Sequence, residues 1–109
     1  MCHSLTPVVL HASRRKVLRC SCGTLHVVWE NLNLSLDAGE FRDLLHLAAA
    51  GQSGAQGEWH AHHGQSGTGL WCGPLGATFR PEEWPEFVLL LQAAAGEPAR
   101  AQAAAYMMN

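Results

Sequence analysis

Two helix starts 43 residues apart constrain this chain more than any other feature of it. In the first, Leu32–Asn33–Leu34–Ser35–Leu36 alternates apolar and polar residues, the period of a half-buried strand, and Asp37-Ala38-Gly39-Glu40 follows at once. Asp37 is placed to cap a helix, with Glu40 reaching back from its third position. Phe41, Leu44, Leu45 and Ala48 then fall at i, i+3, i+4 and i+7 and make one apolar face, which Gly51 ends. In the second, Ala77–Thr78–Phe79 reads as a strand end and Arg80-Pro81-Glu82-Glu83 leads into Trp84, Phe87, Val88 and Leu91 at the same spacing. Pro81 suits a first turn, whereas Pro85 loses a hydrogen bond unless the helix begins close to it.

Upstream of each helix the sequence predicts a hairpin: Lys16–Cys22 turning at Gly23-Thr24 into Leu25–Leu36, and Glu58–His63 turning at Gly64–Gly67 into Thr68–Phe79. Gly73-Pro74 breaks or bulges the last strand. Pro7–Ser13 adds an edge strand, and the alanine-rich Pro98–Tyr106 suits a short terminal helix. The expected architecture is α+β: two β-β-α halves, an internal duplication over residues 8–50 and 58–96, with both helices on one face of antiparallel strands. Gly51–Gly57 (GQSGAQG) reads as a flexible connector and 97–109 as a helical or disordered tail.

Composition bounds the function. A chain of 109 residues with 48% apolar and 15% charged residues is one small folded domain and excludes a multidomain enzyme. Seven Lys and Arg against nine Asp and Glu are too few cations for a surface that tracks phosphates, so general nucleic-acid binding is not expected. No apolar run approaches the roughly 20 residues that span a bilayer, and the start does not read as a signal peptide. The expected location is the cytoplasm, where four cysteines and seven histidines serve as thiols and ligands before they serve as disulfides.

The chemistry concentrates in two pairs. Cys20 and Cys22 are two residues apart and, in a strand, share a face; His60 and His62 repeat that spacing in the second hairpin, followed by His63. Packed about a pseudo-twofold axis, the pairs form a Cys₂His₂ set suited to Zn²⁺, with His26, His63 and Cys72 as substitutes. The opposed reading makes Cys20, Cys22 and Cys72 small core hydrophobes and His60–His63 a solvated turn. Cys20 and Cys22 with Met107 and Met108 offer soft donors for Cu(I), and the same pair reads as a redox dithiol; an Fe–S cluster needs Cys2 as well.

No phosphate loop, His-Glu-x-x-His helix or Gly-x-Ser-x-Gly elbow is present, and Gly64-Gln65-Ser66-Gly67 is a turn. Glu82, Glu83 and Glu86 fit a helix start, where acidic groups favour the positive end of the dipole. Of four tryptophans, Trp84 joins the core stripe, while Trp29, Trp59 and Trp71 are candidates for a partner surface. Around Cys20-Ser21-Cys22-Gly23-Thr24-Leu25-His26, with the strand and acid-capped helix that follow, residues 17–50 resemble a loose group of short uncharacterised bacterial proteins. That resemblance implies a bacterial cytosolic origin, raises Cys20, Cys22 and His26 as ligands, and implies no substrate. The expected function is a zinc-stabilised protein-interaction module, against a metal-free scaffold acting as a homodimer or partner binder, and against a thiol or Cu(I) handling protein.

Overall fold

The computed structural model describes residues 4–108, with side chains to residue 96. Four strands, β1 (Leu5–Ala12), β2 (Arg15–Cys20), β3 (Leu25–Trp29) and β4 (Leu32–Leu36), precede helix α1 (Ala38–Ala50). Four more, β5 (Gly54–Gln56), β6 (Trp59–Gly64), β7 (Gly67–Cys72) and β8 (Leu75–Phe79), precede helix α2 (Glu83–Met108). Each set forms an antiparallel sheet whose spatial order is its chain order, so the fold is α+β with two sheets and two helices.

The halves contain four strands each where the sequence predicts a hairpin, with an edge strand before the first: tight turns split the long second arms, and β5 precedes the second hairpin. Trp29 faces Leu32 and Cys72 faces Leu75, which leaves the two-residue turns Glu30-Asn31 and Gly73-Pro74. Both turns open on a positive φ, 54° at Glu30 and 58° at Gly73, which matches the twist of the flanking strands. Glu30 lacks glycine's freedom and is held from both ends: its N–H donates to the Arg14 carbonyl at 2.6 Å, and its carboxylate accepts from Arg15 Nε at 2.9 Å. The expected connector is in part a strand, since Ala55 pairs with His60 and Gln56 with Trp59. The edge strand near Pro7 is present as β1.

Helix α1 starts where its sequence says. Asp37 Oδ1 accepts from Glu40 N–H at 2.7 Å, Glu40 Oε1 accepts from Asp37 N–H at 3.0 Å, and Gly51 closes the helix at φ 68°. Helix α2 begins at Glu83, so Pro85 sits in its first turn, directly after Glu83 and Trp84, whose N–H groups both return to the Arg80 carbonyl at 2.9 and 3.3 Å. The alanine-rich stretch expected as a separate helix is the continuation of α2. The buried stripes differ by one member from the expected ones: Leu47 and Leu90 are buried, while Leu45 and Val88 are half-buried.

Six pairs of residues 43 apart are buried at both members: Phe41 and Trp84, Leu44 and Phe87, Leu47 and Leu90, Ala48 and Leu91, Leu36 and Phe79, Val27 and Leu70. In the first hairpin the offset becomes 44, because Val17 faces Val27 but Ala61 faces Leu70. Each helix packs mainly on the sheet of the other half, α1 against β5 and β6, α2 against β1 and β2. The expected layer of two helices on one face is thereby replaced by two sheets and two exchanged helices around a single core. At its centre Phe87 is fully buried and meets Trp29 at 5.4 Å, Phe79 at 4.7 Å and Trp84 at 5.6 Å between ring centroids.

Candidate functional site

The cysteine pair occupies two environments. Strand β2 ends at Cys20, whose N–H donates to Thr24 O at 2.8 Å, and Gly23 N–H returns to Cys20 O at 2.9 Å, closing a turn with Gly23 at φ 95°. Cys22 therefore lies in the turn and does not share a strand face with Cys20. Cys20 is buried and disulfide-bonded. Cys22 is exposed with Sγ 3.2 Å from Thr24 Oγ1, and the side-chain and then the backbone hydrogen bond of Thr24 hold its thiol below the ordinary thiol range.

The histidine pair lies in the other sheet. Trp59 and Ala61 of β6 point to the core, so His60 and His62 point outward, both exposed. By strand register the positions equivalent to His60 and His62 in the first half are Lys16 and Leu18, not the cysteines. Among the described residues no group of three or more His, Cys, Asp or Glu side chains is placed to hold a metal ion, so Cys20, Cys22, His60 and His62 do not converge.

The outer face of the second sheet has its own structure. Trp71 pairs across the strands with His60, and the two rings stack at 5.6 Å with planes 10° apart. Trp71 is 40% exposed, whereas Trp29, Trp59 and Trp84 are at most 8% exposed. Its ring leans toward Gly69, where an added Cβ would lie 3.8 Å from the indole. Gly69 pairs with His62 and Thr78, so a side-chain gap runs beside the His60–Trp71 stack. A shallow cavity of about 250 Å³ opens there, lined by His62, Ser66, Thr68 and Thr78 over the glycines 64, 67 and 69.

The three reserve residues are separate. His26 Nδ1 lies 3.1 Å from the cross-strand Ser35 Oγ, and its Nε2 is buried with no hydrogen-bond partner among the described residues. A hydroxyl beside an imidazole is half of a nucleophilic site, but among the described residues nothing orients the second nitrogen of this one. His63 bonds Thr68 Oγ1 through Nδ1 at 2.8 Å and meets Trp84 edge-on at 5.4 Å; its Nε2 is likewise buried without a partner among the described residues. Cys72 is half-buried, and burial, reinforced by Glu58 and Glu40, pushes its thiol up. Cys2, the further cysteine an Fe–S cluster needs, and the side chains of Met107 and Met108 fall outside the described residues.

One cluster brings together residues that the sequence holds far apart. Arg15 lies 4.2 Å over the Trp29 ring and is ion-paired with Glu30 at 2.9 Å, with Glu83 at 3.9 Å and with Glu86. Arg15, Trp29 and Glu86 border an open cleft of about 270 Å³ between β1 and α2, with His11 and Leu89 on its rim. Three carboxylates already claim the guanidinium, so the cluster fastens α2 to the first sheet and leaves no cation for an anionic ligand. Only the spacing of Glu83 and Glu86 hinted at it; Arg15 is far away in sequence.

Among the described residues no helix is long and apolar enough to cross a membrane. No protein-family model, curated protein or solved structure matches the chain.

Proposed function

We propose that the chain is a non-catalytic scaffold that works by pairing with a second copy of itself through the outer face of the second sheet. The observation that carries this reading is Trp71, 40% exposed and stacked on His60 on the outward face of the second sheet. A partly exposed tryptophan held rigid by a neighbour offers a large contact area with little entropy left to lose on association.

Two features favour a second copy over an unlike partner. The outward positions 55, 60, 62, 64, 69, 71, 76 and 78 hold only Ala, His, Gly, Trp and Thr, with no Asp, Glu, Lys or Arg. A twofold contact sets a patch against itself, so an uncharged patch meets no like-charge repulsion. The apolar surface with Leu5 and Leu10 on β1 is a poorer candidate because Pro7 and two register shifts blunt that edge strand against pairing.

Sedimentation equilibrium of the wild type and of Trp71→Ser tests the reading. The expected outcome is a concentration-dependent dimer that Trp71→Ser weakens by about tenfold or more, in line with the loss of a central aromatic contact. Equal association of the two chains would refute it. Because Trp71 lies outside the core, the variant should keep its fold, which circular dichroism checks.

A further inference from the structure

We infer that His60 and His62 are one half of a zinc site, completed by the same two residues of a second copy, so that one Zn²⁺ bridges two chains across the outer face of the second sheet. The inference rests on the self-association reading above and gives it a ligand.

The two imidazoles stand at i and i+2 on one strand and one face, which sets their backbones about 6.6 Å apart, a span over which both rings can lean onto one ion. Both are exposed. His60 is already oriented by its stack on Trp71. Two donors do not fill a four-coordinate zinc shell, and within one chain no third His, Cys, Asp or Glu among the described residues joins them. A twofold axis through the face supplies the missing pair as a matter of symmetry, giving four neutral nitrogen donors.

The face permits this approach and needs it. Gly69 and Gly76 beside the stack carry no side chain, and an added Cβ at either would make only ordinary contacts, so sterics within the chain do not demand glycine there. Their effect is to keep the face low where a second sheet would press against the histidines. The area is small: three strands about 4.8 Å apart and five or six residues long offer about 250 Å² per chain, against roughly 800 Å² per partner in a stable interface. Sheet contact alone gives a weak dimer; a metal bridge removes the deficit, because zinc held by both copies stabilises only the paired state.

The test uses the full, untagged chain freed of metal with EDTA, followed by sedimentation equilibrium across a ZnCl₂ titration. The expected result is dimer formation strengthened by about tenfold or more and saturating at one zinc per two chains. His60→Ala and His62→Ala, and the milder His62→Gln should alanine disturb the strand, should abolish the zinc response. Saturation at one zinc per chain, or a zinc response that survives His60→Ala/His62→Ala, overturns the bridge. A dimer indifferent to zinc but dissolved by Trp71→Ser also overturns the bridge while leaving self-association standing. A monomer in EDTA and zinc alike overturns both.

Discussion

Trp71 shows how one alternation decides exposure. Leu70 is buried on the core side of β7, so Trp71 must face outward, and the same parity sends His60 and His62 out once Trp59 and Ala61 turn inward. This was legible in the sequence as soon as one residue of each strand was assigned to the core. The different fates of Cys20 and Cys22 were not, because their spacing suits a strand and a turn equally, and the Gly23 turn begins at Cys20 itself. Two chemical predictions belong at this scale. Thr24→Val removes the strongest stabiliser of the Cys22 thiolate and should move the pH profile of Cys22 alkylation, followed by mass spectrometry, to higher pH. Glu83 is held below the ordinary carboxylate range, first by the Arg80 N–H, which donates to its Oε1 at 2.9 Å. A carboxyl depressed in the folded state contributes stability that is complete above its unfolded titration and is lost as pH falls through its folded value. Thermal melts should therefore show Glu83→Gln destabilised near neutrality, with the gap to wild type closing below the carboxylate range.

At the scale of the element, helix α1 was the most legible part of the chain. Its cap, its third-position glutamate and its terminating glycine are local signals, read without knowing what the helix packs on. Asp37→Ala should cost about 1 kcal/mol in denaturant unfolding, the usual value of a lost cap. The stripe differed in one member, with Leu47 buried in place of Leu45, because α1 packs on β5 and β6, a partner the sequence could not announce. The strands were harder. Glu30-Asn31 lacks the glycine that flags most two-residue hairpins, and its positive φ is stabilised by Arg15, which comes from another strand. The same long-range character hid the Arg15 cluster, whose members at 15, 30, 83 and 86 meet only in the folded molecule.

For the whole molecule, the exchanged helices mean that neither half closes its own core. Trp29 of the first sheet, Phe79 of the second and Phe87 of α2 touch one another, so the halves should unfold together. Phe87→Ala should cost about 3–5 kcal/mol and lower every probe of both sheets in a single transition. The 43-residue spacing was read in the sequence from two helix stripes, and in the structure Leu36 and Phe79, and Val27 and Leu70, are also buried at that spacing. The pairing of a cysteine hairpin with a histidine hairpin was not a consequence of that repeat, since the extra residue between Val17 and Val27 puts Lys16 and Leu18, not the cysteines, in the places of His60 and His62. What the two sheets share is the core; what distinguishes the second is the uncharged outer face around Trp71. The measurement that bears most directly on its role is the mass of the untagged chain by sedimentation equilibrium over a wide concentration range, wild type beside Trp71→Ser. A rise toward twice the single-chain mass in the wild type, shifted to higher concentration in the variant, is the predicted result. A single-chain mass for both throughout would contradict self-association through this face.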